Sequence, residues 1–200
     1  MEKRFNELEK VLTKNGFMVK TFNNIGEVKE ELLSQIKKEE TVGIGGSMTI
    51  QQMEIYDDLR EIAGEVYWHW KKDIPNAATK AINADTYITS TNAITMDGKL
   101  VNMDGNGNRV ASMIFGHKNV YIVVGKNKVC ENYEEARERI RTTAAPLNAK
   151  RLNLNTPCVH TGRCIDCDSP QRICKAEVIL HKNPGSTQVH IYLVNEELGY

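Results

Sequence analysis

The chain has 200 residues, 40% of them apolar and 26% charged, enough to bury a core and too apolar for a disordered segment. Twenty-six basic residues balance 26 acidic ones, which argues against a nucleic-acid partner, since such proteins carry a basic excess. No stretch approaches the roughly 18 apolar residues of a membrane span. Met1 to Glu7 also lacks the apolar run of a signal peptide, so the expected location is cytoplasmic.

Apolar spacing predicts a first helix from Arg4 to Asn15, stopped by Gly16. Phe17 to Phe22 reads as a short strand and Ile25 to Glu40 as a second amphipathic helix. Thr41 to Ile44 is a small strand that runs through a glycine turn into a helical pattern ending near Ala63. Val66 to Trp70 reads as a half-buried strand, with His69 alternating against Trp68 and Trp70; Pro75 to Asn83 reads as a helix.

Asp85 to Ser90 is a further strand. Ala93 to Thr95 and Leu100-Val101 form a hairpin about Asp97-Gly98. Arg109 to Phe115 reads as a helix and Val120 to Val124 as a buried strand, with Cys130 in the core or at a helix edge. Tyr133 to Leu152 is a long charged helix with a candidate break at Pro146, and Glu177 to Leu180 and Val189 to Val194 are β-like. Alternating strands and helices predict one three-layer α/β domain over residues 1–200 with a mostly parallel sheet.

The turn Gly43-Ile44-Gly45-Gly46-Ser47-Met48-Thr49 joins a strand to a helix. Glycines allow close backbone approach and a helix start offers unpaired N–H groups, so Gly43, Gly45, Gly46, Ser47, Met48 and Thr49 are candidate contacts for a phosphate or carboxylate. A tight turn capped by Ser47 explains them equally well. The turn has no lysine for a nucleoside-triphosphate loop and has Met48 where a dinucleotide fingerprint needs glycine or alanine. Thr91 and Asn92 follow a strand, and Asp104, Gly105 and Asn108 precede a helix. Loops so placed line the crevice of a parallel sheet and are candidate ligand contacts. In the plainer reading Asn106 or Asn108 caps the helix and Arg109 is solvated.

Cys158, Cys164, Cys167 and Cys174 fall within seventeen residues, in a loop spanning 156–175. In a reducing compartment these are not disulfides. Cys164 and Cys167 form a C-x2-C pair, and four thiolates suit an iron–sulfur cluster or, alternatively, zinc. Arg163, Arg172 and Lys175 are nearby compensating charges and His160 an alternative ligand. A redox dithiol, or plain structural cysteines, also fit the spacing.

These residues together resemble the lactate-utilisation (LUD) domain family in its short, stand-alone form. The resemblance is carried by Thr89 to Thr95 with Asp97-Gly98, by Asn102 to Val110, by the Cys158 to Cys174 loop and by the ending Asn195 to Tyr200. It implies a fold similar to the ribose-phosphate isomerase, glucosamine-phosphate isomerase and CoA-transferase group, whose phosphate or carboxylate site matches Gly43 to Thr49. It also implies a part in oxidising L-lactate to pyruvate beside iron–sulfur electron-transfer proteins, with a small anionic metabolite as ligand. A homo-oligomer sharing cluster ligands between subunits is compatible with the sequence. The chain departs from the transferases and isomerases of that group. No glutamate nucleophile stands in the candidate loops, Asp104 is their one carboxylate, and the isomerases' lysine or histidine motifs are not found. No catalytic residue is assigned. Two other functions stay open: an isomerase- or transferase-like enzyme for a phosphorylated or CoA-linked metabolite, and a non-catalytic module with structural zinc.

Overall fold

The computed structural model describes residues 2–72 and 74–200. Among the described residues, ten strands form two sheets and nine α-helices pack around them. The larger sheet is wholly parallel, in the order β1-β10-β7-β4-β2-β3. Its strands are β1 (Met18–Phe22), β2 (Thr41–Ile44), β3 (Glu65–Trp68), β4 (Thr86–Thr89), β7 (Asn119–Gly125) and β10 (Gln188–Val194).

Successive side chains of a strand face opposite ways, and both faces here are buried. Tyr121 and Val123 of β7, with Val42, Ile44 and Trp68, meet Val28 and Leu32 of α2 (Ile25–Gln35), Ile50 of α3 (Met48–Met53) and Leu59 of α4 (Tyr56–Ile62). Val120, Ile122 and Val124 meet Phe5, Leu8 and Leu12 of α1 (Glu2–Lys14) on the other face. Ala81 of α5 (Ala77–Ile82) and Met113 of α6 (Asn108–Ile114) join them there. This is the three-layer α/β arrangement expected from the alternating pattern.

The four-stranded second sheet was not foreseen as a separate layer. Its order is β8-β5-β6-β9, from β5 (Ala93–Thr95), β6 (Leu100–Asp104), β8 (Val129–Cys130) and β9 (Ala176–Leu180). The expected hairpin forms, with Gly98 at φ +83° in its turn, and β6 runs on to Asp104 because β9 pairs with its whole length. Ile94, Leu100 and Leu180 face the main sheet's core, while Ala93, Val101 and Cys130 pack under Ala136 and Ile140.

Several expected boundaries shift for local reasons. Helix α2 ends at Gln35 rather than Glu40, because Ile36 takes extended backbone and is buried. The pattern expected to run to Ala63 breaks into α3 and α4 at Glu54, which sits in the left-handed region at φ 50°. Strand β3 stops at Trp68; Lys71 N–H bonds the Trp68 carbonyl and turns His69 and Trp70 out of the sheet.

Pro146 does not break the long helix, which continues as α7 (Tyr133–Arg139), a wide π turn (Ile140–Ala144) and α8 (Ala145–Arg151). A proline in a regular helix clashes with the carbonyl four residues back, and widening the turn ahead of it relieves that clash. The last helix is α9 (Pro157–Thr161), ended by Gly162 at φ 72°. Among the described residues no helix is long and apolar enough to cross a membrane.

Candidate functional site

From β2 the chain crosses by α3 and α4 on one face to the edge strand β3, and returns by α5 on the other face to β4, on the opposite side of β2. Connections that leave neighbouring parallel strands in opposite directions open a crevice beyond their carboxyl ends. A cavity of about 420 Å³ lies there. Gly46 and Ser47 reach it from β2, His69 and Trp70 from β3, Ser90 to Asn92 from β4, and Lys128 from the turn after β7.

The cavity gathers most of the expected ligand residues: Gly46, Ser47, Met48, Thr91, Asn92, Asp104, Gly105 and Asn108 all line it. Gly43, Gly45 and Thr49 do not. A Cβ on Gly43 would lie 2.5 Å from the Ala81 carbonyl, and one on Gly45 2.6 Å from the Thr89 hydroxyl, so both glycines serve packing beneath the crevice. Thr49 is fully buried and donates to the Leu198 carbonyl. Ser47 is the cap of α3, its hydroxyl accepting from Ile50 N–H. Because α3 has only six residues, the expected helix-start field is small.

Positive charge comes instead from side chains. Lys128, Arg151, Arg172 and Lys175 line the cavity with Arg109, against the carboxylate of Asp104. Arg109 is buried rather than solvated, and Gly107, not Asn106 or Asn108, stands at the helix-cap position. Its guanidinium donates to the Asn102 and Asn92 side-chain oxygens at 2.6 and 3.0 Å, and to the Ser90 and Met103 carbonyls. Asp104 lies 3.6 Å from its Nε and accepts from the N–H groups of Asn106 and Gly107. Burial lowers the pKa of Arg109, opposed by Asp104. Asn92 and Asp104 thus shape the wall by orienting Arg109 and the following turn.

Nothing in the residue order signals that Lys128 and Arg151, or His69, Trp70 and Tyr200 from elsewhere in the chain, meet in this cavity. Lys128 sits in a short lysine-rich turn that reads as solvent-facing, yet it is buried. Arg151 lies over the Trp70 ring at 4.3 Å and donates to the Tyr200 hydroxyl, so the end of the chain closes one side of the cavity. His69 is held below its usual pKa by burial and by Arg151.

The cysteine loop lies beside this cavity. Cys158, Cys164, Cys167 and Cys174 line one small void of about 10 Å³ with Ile165 and Ile173. Asp166, at φ 55°, reverses the chain between Cys164 and Cys167, and its N–H donates to the Cys164 sulfur. Burial and the three other sulfurs push the Cys174 thiol up to about 11. As they stand, no three His, Cys, Asp or Glu side chains among the described residues are disposed to hold a metal ion. In its chemistry the donor set suits one: four soft sulfur donors border a single void, and a bound cation would reverse the mutual opposition of their charges.

Arg172 bonds the Cys167 and Cys174 carbonyls and pairs with Asp166 at 2.7 Å; that carboxylate first, and the two sulfurs after it, favour its charge. Arg163 turns away to pair with Glu138, and Lys175 faces the larger cavity, so only one of three expected compensating charges serves the sulfurs. His160 meets Asn155 outside the void. Arg172, Ile173 and Cys174 line both spaces and form a shared wall. Gly105 permits it: a Cβ there would stand 3.0 Å from the Ile173 carbonyl.

The model of the LUD domain matches residues 5–194. The crystal structure of a DUF162 family protein from Deinococcus radiodurans superposes with a TM-score of 0.57 at 12% identity, covering 96% of this chain and 97% of that one. DUF162 is the LUD domain family. The curated proteins give no match. The chain belongs to the LUD domain family, which is associated with lactate utilisation.

Proposed function

We propose that this LUD-domain protein contributes to the oxidation of L-lactate to pyruvate, holding the small acid in the 420 Å³ cavity beside an iron–sulfur cluster on Cys158, Cys164, Cys167 and Cys174. The observation that carries this reading is the wall of Arg172, Ile173 and Cys174 common to both spaces. When bound, the cluster would supply one-electron redox chemistry. Arg151, Arg172 and Lys175 attract and orient the carboxylate, while Trp70 and the tail at Tyr200 shield it from water. The Arg109 network fixes the opposite wall, so the acid meets preset donors rather than loops that must first be ordered. An iron–sulfur electron-transfer protein would dock over the exposed face of the loop, and the setting is cytoplasmic.

A single zinc ion is the second reading, favoured by the size of the void among the sulfurs. The two separate on anaerobic purification followed by iron, labile sulfide and zinc analysis with a visible spectrum. The expected result is iron and sulfide with broad charge-transfer absorption, lost on Cys164→Ser. Stoichiometric zinc in a colourless protein would make the loop structural; neither metal, even after reconstitution, would remove the redox role.

A further inference from the structure

Lys128 is a buried amine at the floor of the cavity, and the anion-holding role described above does not use it. Its Nζ donates to the Thr49 hydroxyl at 2.8 Å and the Ser90 hydroxyl at 2.9 Å. The tail closes over it, since a Cβ on Gly199 would come within 3.3 Å of Nζ. Among the described residues no carboxylate pairs with it. The charges acting on it most are the guanidiniums of Arg139 and Arg109. Burial first, and then those two cations, hold its pKa well below that of an ordinary lysine. A buried amine whose protonated form is disfavoured by neighbouring cations is the arrangement that makes lysine a nucleophile toward carbonyl carbon.

The rim supplies what a carbonyl acid needs at its other end. Arg151 and Lys175 line the same cavity and suit a carboxylate. We propose that Lys128 condenses reversibly with the keto carbon of a small 2-oxo acid, an activity that rests on the reading of the cavity as a site for such acids. The nitrogen lone pair forms the new bond to C2. The Ser90 hydroxyl, already bonded to the amine, relays a proton to the carbonyl oxygen. The remaining amine proton follows by the same route to that oxygen as the C–O bond breaks, so water leaves and an imine remains, with nothing oxidised or reduced. The imine acidifies the protons on the adjacent carbon, so the protein should exchange the methyl protons of pyruvate with solvent.

The test uses the full chain, pyruvate as probe and borohydride reduction, followed by intact mass and peptide mapping. Pyruvate binding is measured in parallel by calorimetry without reductant. One reduced pyruvyl adduct per chain, mapped to Lys128 and lost in Lys128→Gln, is expected, with methyl exchange lost in the same variant. Mapping on the unmodified chain decides the matter even if that variant fails to fold. Pyruvate that binds without adduct, or with adduct only on other lysines, overturns the condensation and leaves the anion pocket standing. Absence of pyruvate binding overturns both.

Discussion

The two walls of the crevice are built in opposite ways. On one side, Asn92, Asn102, Asp104 and Arg109 form a largely buried network in which the arginine has six protein partners at once. On the other, residues 162–175 have no regular secondary structure, and their sulfurs are gathered by a left-handed turn and a few backbone bonds. The first wall is held together by protein partners alone. In the second, four sulfurs border a small void and their charges oppose one another, so under the proposed reading a bound metal would organise it. Under the proposed function, a rigid positioning wall set against a metal-organised one would hold a small acid at a fixed distance from a second centre.

The sharpest way to break the contrast is to remove the arginine. Arg109→Ala leaves several buried acceptors without a donor and should cost about 3–5 kcal/mol of stability in denaturant unfolding, whereas Cys164→Ser in metal-free protein should stay within about 0.5 kcal/mol. Equal losses would erase the distinction. Gly105→Val drives a side chain into the Ile173 carbonyl and should push the cysteine loop off the shared wall. An overpacking cost of about 1–3 kcal/mol is expected, with weaker binding of both metal and pyruvate in titrations.

Arg151→Ala removes an exposed cation that stacks on Trp70 and bonds Tyr200, so it acts on the ligand rather than the fold. A roughly tenfold loss of pyruvate affinity, about 1.4 kcal/mol, with little change in unfolding midpoint would place it at the rim as described. The smallest effect lies away from the crevice. Asp85 is held down to about 2 by Lys118 and by the N–H and hydroxyl of Thr41, joining the starts of β2, β4 and β7. A carboxylate whose folded pKa is depressed stabilises the fold above its ordinary value near 4, and that contribution fades as pH falls from about 4 towards 2. Asp85→Asn should therefore lower stability at neutral pH and flatten the acid limb of the stability curve.

The contrast also explains what could be read from residue order. Strands such as Val120 to Val124 were legible as unbroken apolar runs, buried on both faces, and helices such as α1 by the period that one buried face imposes. The four cysteines were legible because their chemistry is rare and local. The second sheet was hidden, since β8 is two residues long and β9 pairs with a strand more than seventy positions earlier. Arg109 read as surface, because its partners are Asn92 and Asn102, residue types that turns use equally well. Lys128 was invisible for a related reason. In Lys126-Asn127-Lys128 nothing separates an amine under Thr49 and Ser90 from one in water, and only the folded sheet ends bring those hydroxyls to it.

The joint wall is tested most directly by recording the electron paramagnetic resonance of reduced, anaerobically prepared protein before and after saturation with pyruvate. A cluster signal that shifts on binding, and fails to shift in Gly105→Val, is the predicted result. A cluster signal unchanged while calorimetry shows pyruvate bound would contradict the account, leaving two neighbouring sites with no common function.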